Sequence, residues 1–93
     1  MTENSNYAQE RVIYYRERFQ NQSVLQLVDV FNSLSSNKGW ASERSFFTKA
    51  LIDEIQSRGI DTSAICKEQD NRRTIRYIPV RYEQTSHSLS PID

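Results

Sequence analysis

The sequence predicts an α+β domain, a three-helix core followed by a C-terminal β-hairpin or edge strand, and three observations carry that prediction. Apolar residues recur at helical spacing in three successive stretches before Arg58. Gly59 then stands where a helix would end in the left-handed conformation. Beyond Asp61 the period changes, and Thr74 to Tyr82 is rich in the β-branched and aromatic residues that suit a pleated surface. A length of 93 residues suits a single domain, 1–93, and is too short for two independent cores. The ordered part is expected over about 6–83, with 84–93 a polar, disordered tail.

The first helix is expected to start at Tyr7, with Asn6 as its cap and Gln9 three residues on. Ala8, Val12, Tyr15 and Phe19 then share one face. In the second helix Ser23 and Gln26 form a capping box, and Val24, Leu27, Val28, Phe31 and Leu34 make the apolar stripe. The run SSNKG ends that helix through turn-forming residues, and Trp40 beyond it is expected to seal a corner of the core. The third helix is expected from Ser42, its N-cap, to Arg58. With Gly59 at C′, Ile55 and Ile60 take the positions whose apolar contact accompanies a Schellman ending. Phe47, Ala50, Leu51 and Ile55 face inward, and Phe46 and Ile52 broaden the stripe, which makes this the central helix.

A lone strand is not stable, so Thr74 to Tyr82 needs a partner. Ile60 to Lys67 fits that role through a turn at Asp70-Asn71, although Asp61 could instead cap a short helix there. The apolar set moves from Ile75 and Tyr77 to Ile78, Val80 and Tyr82. That change of parity marks a bulge or a break, and Pro79, which lacks an amide donor, stands where it happens.

Arg72, Arg73, Arg76 and Arg81 surround this strand in a chain of zero net charge, with 12 basic and 12 acidic residues. Arginines on an edge strand discourage uncontrolled pairing and cover apolar surface with their stems. Interleaved with Tyr77 and Tyr82, they could equally serve phosphate contact and stacking. Together with Ile78 and Val80 these residues form the candidate binding surface. The order of elements resembles that of winged helix-turn-helix proteins, which would make the third helix the reader and 67–73 the wing. Against that role, the third helix carries Glu43, Asp53 and Glu54 beside Arg44, Lys49 and Arg58, and acidic groups repel a phosphate backbone.

Other chemistries lack their residues. His87 is expected in the tail, where no rigid shell would orient it as a base. Cys66, the single cysteine, has no CxxC partner and reads as a small buried hydrophobe. Asp53 and Glu54 are adjacent, and Asp61 and Asp70 lack the spacing of a calcium loop. With two glycines, Gly39 and Gly59, no phosphate-cradling loop exists, so no cofactor or small-molecule site is expected. Tyr14 and Tyr15 read as packing residues. The start, MTENSNYAQER, has no signal-peptide pattern, and no apolar run is long enough to span a bilayer. The expectation is a soluble, cytoplasmic, non-enzymatic module that binds a protein partner or itself through the C-terminal strand. Nucleic-acid binding through Lys67, Arg72, Arg73 and Arg76 is the alternative.

Overall fold

A computed structural model describes residues 3–36 and 43–92. Three helices, α1 (Glu3–Gln20), α2 (Val24–Ser36) and α3 (Glu43–Ser57), precede four short strands, β1 (Cys66–Gln69), β2 (Arg72–Ile75), β3 (Val80–Glu83) and β4 (Ser88–Pro91). The strands form two separate antiparallel hairpins, β1-β2 and β3-β4. No helix among the described residues is long and apolar enough to cross a membrane.

The helices follow the pattern of the sequence, with one shifted boundary. The α1 helix begins at Glu3, so Asn6 lies within it and is not its cap. No glycine or proline interrupts the stretch before Tyr7, and the helix continues upstream. At the start of α2 the capping box is present, with the Gln26 amide donating to Ser23 Oγ at 3.2 Å and the Ser23 amide donating to Gln26 Oε1 at 2.8 Å. The SSNKG turn, Trp40 and the Ser42 cap lie at or beyond the limits of the described side chains. At the other end of α3, Gly59 has φ +79° and its amide donates to the Gln56 carbonyl at 3.0 Å, the inner bond of a Schellman ending, while the Ile55 carbonyl accepts from the Arg58 amide at 3.2 Å.

One core serves all the elements. Leu27, Phe31 and Leu34 of α2 meet Leu51, Ile52 and Ile55 of α3, each at most 1% exposed. Phe19 closes the core from α1, where edge-to-face contacts link Tyr15 and Phe19 to Phe47 at 5.0 and 5.1 Å. Ile60, Ile65, Val80 and Leu89 complete it from the strand region. Glu54, buried between α1 and α3, is held by Arg16 at 3.3 Å and Arg58 at 3.0 Å. Arg58 also donates to the Phe19 carbonyl at 3.0 Å and so ties the end of α1 to α3.

The strand region follows the sequence reading in part and departs from it at the C-terminus. Thr74 to Tyr82 is not one strand. Its halves belong to different hairpins, because 76–79 leaves the ladder at the change of parity, around Pro79. The segment 60–67 combines both readings made of it. Asp61 Oδ1 caps a turn by accepting from the Ser63 amide at 2.8 Å, and the strand begins only at Cys66. The segment 84–93 is not a disordered tail through Pro91. Ser88–Pro91 pairs with Val80–Glu83, Leu89 is buried, and the Asp61 amide donates to the His87 carbonyl at 2.8 Å. A single apolar residue among serines gives almost no periodic signal, so this strand is specified by what it docks against.

Candidate functional site

The first hairpin turns through Asp70 and Asn71, both with positive φ (54° and 63°), the conformation of a two-residue type I′ turn. Gln69 pairs with Arg72, Lys67 with Thr74 and Cys66 with Ile75. The Arg76 amide donates to the Ile65 carbonyl at 2.7 Å, which sets the phase of the ladder. Arg72, Thr74 and Arg76 therefore direct their backbone groups toward β1, while those of Arg73 and Ile75 point away from it. Among the described residues those outward amides and carbonyls have no backbone partner. β2 is thus one open edge of the sheet; on the β1 edge the Cys66 amide donates to the Thr62 carbonyl at 2.8 Å, and the outward groups of Glu68 have no backbone partner among the described residues.

The second hairpin is closed at several points, although the outward Tyr82 groups on β3 have no backbone partner among the described residues. On β3 the side chain of Asn32 acts as a surrogate strand. Its Oδ1 accepts from the Val80 amide and its Nδ2 donates to the Val80 carbonyl, both at 2.8 Å. On β4 the Leu89 amide donates to the Asp61 carbonyl at 3.0 Å, and Pro91 has no donor to offer. Val80 itself is buried. The surface expected to mediate self-association through Val80 is thus occupied from within the chain.

The candidate residues do not form one patch. Arg73 lies on the inner side of the first hairpin, where its Nη2 is 3.0 Å from Asp53 and 3.2 Å from Glu68. Its Nη1 is buried with no hydrogen-bond partner among the described residues. Tyr77 stacks on Phe31 at 6.0 Å, donates from its hydroxyl to Thr48 Oγ1 at 3.1 Å and carries the Arg44 guanidinium 4.1 Å above its ring. Ile78 is half-buried against the core. Arg81 is on the second hairpin and pairs with Glu83. The Tyr82 hydroxyl and His87 Nδ1 are 3.1 Å apart, so His87 sits in an ordered turn. Only Arg72 and Arg76 share an exposed face, and the neighbour they gain there is Lys67. No carboxylate pairs with any of these three among the described residues.

Two depressions lie along α3, the first beside this hairpin and the second on the side of α1. One, about 180 Å³, is lined by Ser45, Thr48, Lys49, Arg73, Ile75 and Tyr77. The other, about 430 Å³ and mostly apolar, lies between α1 and α3, with Val12, Ile13 and Phe46 among its walls. Ser45 and Lys49 line both. Sequence reading missed these groove residues and Asn32. A side-chain clasp between positions 48 apart leaves no local pattern.

The remaining chemistry is structural. Burial pushes the Cys66 thiol above its ordinary value, which disfavours the nucleophilic thiolate. No three His, Cys, Asp or Glu side chains converge to hold a metal among the described residues. At the start of α3, Glu43 accepts from Tyr15 Oη at 2.7 Å, from Arg11 Nε at 3.0 Å and from Tyr7 Oη at 3.1 Å. The Tyr15 bond, ahead of those from Arg11 and Tyr7, holds the Glu43 carboxyl below its usual range. This network fastens α1 to α3. Comparison of the chain with protein-family models, curated proteins and solved structures gives no match.

Proposed function

We propose that the chain is a small, non-enzymatic, cytoplasmic protein-binding module that recruits a partner by pairing an extended segment with its first hairpin. The observation that carries this reading is the contrast between the hairpins. Asn32, Asp61 and Pro91 occupy or blunt most of the edges of the second, leaving Tyr82, whereas on the first the outward groups of Glu68, Arg73 and Ile75 have no backbone partner among the described residues. An open edge gives affinity through main-chain hydrogen bonds, and neighbouring side chains give the choice of partner. A homodimer formed through the β3 edge at Val80 would first have to displace Asn32, so the first hairpin is the better-supported surface. The test is site-specific photocrosslinking in cell extract treated with nuclease. Probes at Glu68 and Thr74 are expected to capture the same protein partner, and a probe at Ser90 is expected not to.

One observation favours a second reading. Lys67, Arg72 and Arg76 have no carboxylate partner among the described residues and would suit the phosphates of a nucleic acid. The α3 helix is poorly placed to read bases beside them. Thr48, Ala50, Leu51, Ile52, Glu54 and Ile55 are buried, which leaves little of the helix for a groove. Binding of this kind would be independent of sequence and steeply weakened by salt. Retention of duplex DNA that disappears when all three cations become alanine would replace the first reading with this one.

A further inference from the structure

We propose that the outer face of the first hairpin binds a phosphate monoester between Lys67 and Arg76, carried on a serine or threonine of the extended partner segment. This rests on the protein-binding reading and names the chemical group that the partner presents.

Register and alternation build the site. Lys67 pairs with Thr74, and Arg76 follows two residues on, so the three side chains share the face turned away from Glu68 and Arg73. All three are exposed. With Ser63, Ile65 and Cys66 they line one recess of about 200 Å³. Neither cation has a carboxylate partner among the described residues, in contrast to Arg73, which Asp53 and Glu68 already neutralise. The Thr74 hydroxyl adds a donor beside them. A phosphate monoester carries a charge of about −1.5 to −2 at pH 7 and three strong acceptor oxygens, which matches two cations and a hydroxyl. A carboxylate brings a single charge and leaves one of the cations unanswered.

Two acids favour one phosphate over a chain of them. Asp70 stands in the turn at one end of the hairpin. At the other end Asp61 accepts from the amide of Ser63, a residue of the recess wall, at 2.8 Å. Neither acid has a basic partner among the described residues. A nucleic-acid backbone laid along the strands would bring further phosphates against both, whereas a single phosphate between Lys67 and Arg76 meets neither. The open β2 edge then delivers the group. A segment paired with Arg73 and Ile75 lies about 4.8 Å from β2, and its residue opposite Thr74 points to the outer face, diagonal to Arg76. Thr74 is small, so a phosphate on that residue passes over it toward Lys67, two strand spacings or about 10 Å from the added strand.

Two libraries of short synthetic peptides, alike except for a fixed central phosphoserine or serine, test this on the full chain. The phosphorylated library should be retained about tenfold better, and peptides recovered from it should shift the amide resonances of Lys67, Thr74 and Arg76. Lys67→Gln and Arg76→Gln should each weaken binding about tenfold, and Arg18→Gln on α1 should leave it unchanged. The shifts are mapped on the unaltered protein, so they do not depend on how the variants fold. Equal retention of the two libraries would overturn the inference and leave the protein-binding reading standing. Free O-phosphoserine that shifts the same amides at the same concentration as the peptides would also overturn it, because the ligand would then be a small phosphate ester. Displacement of the peptides by duplex DNA at equal phosphate concentration would overturn it in favour of nucleic acid. Retention of neither library would overturn it as well, and the protein-binding reading would fall with it only if the crosslinking probes at Glu68 and Thr74 also capture nothing.

Discussion

Glu43 shows how a single side chain can link two helices and record pH. Its carboxylate gathers two tyrosine hydroxyls and a guanidinium from α1, and its titration is displaced below the ordinary value of 4.5. A group with a depressed folded-state pKa stabilises the fold fully above its unfolded value, and that contribution is lost as pH falls through the folded value. The protein should therefore lose stability relative to Glu43→Gln as the pH drops below 4.5, and the two should differ by a constant amount above about pH 6. Denaturation at a series of pH values measures the difference, and a pH-independent gap would remove Glu43 from this role. Gly59 is a second residue with a specific task. No atom lies within 4 Å of where a Cβ would be, so Gly59→Ala should cost only the left-handed backbone penalty, about 1–2 kcal/mol, and no steric clash. A neutral result in urea melts would contradict the backbone geometry.

At the level of elements, what could be read from the sequence depended on how local its cause was. The Ser23 capping box, the Gly59 ending and the Asp70-Asn71 turn each arise within a few residues, and each is present. The break near Pro79 was also legible, because a change of parity is a local event. The second hairpin was not. Its signals are the lone Leu89, a carbonyl on Asp61 and the amide of Asn32, all of which act across the fold. The candidate site failed to assemble for a related reason. Alternation puts Arg73 on the opposite face from Arg72 and Arg76, and Arg81 belongs to a different sheet. Asn32 supports a direct test. Asn32→Ala strands the Val80 amide and carbonyl, which should destabilise the chain by about 1–3 kcal/mol. The uncovered β3 edge should also produce concentration-dependent association in sedimentation, absent from the unaltered protein.

The molecule as a whole is organised around α3, which contributes six buried residues and meets both other helices. Leu51, fully buried, is central to that arrangement. Leu51→Ala should cost about 2–5 kcal/mol, a large part of the stability of a domain this size. A loss under about half a kcal/mol would be incompatible with its burial. The bonds between Asn32 and Val80 also imply an order of assembly. They close a loop of 48 residues, whereas each hairpin closes over its own short turn. Closure entropy grows with separation, so the helices and hairpins form early and the docking of 80–91 onto α2 completes the fold. The reverse event is the expected first opening of the native fold. Native-state hydrogen exchange should find the 80–91 amides opening together, at a free energy below that of global unfolding, while α3 stays closed. The protein would then spend a small, measurable fraction of its time as a helical body with one hairpin undocked, a state in which the Val80 edge is bare and new strand pairings can begin.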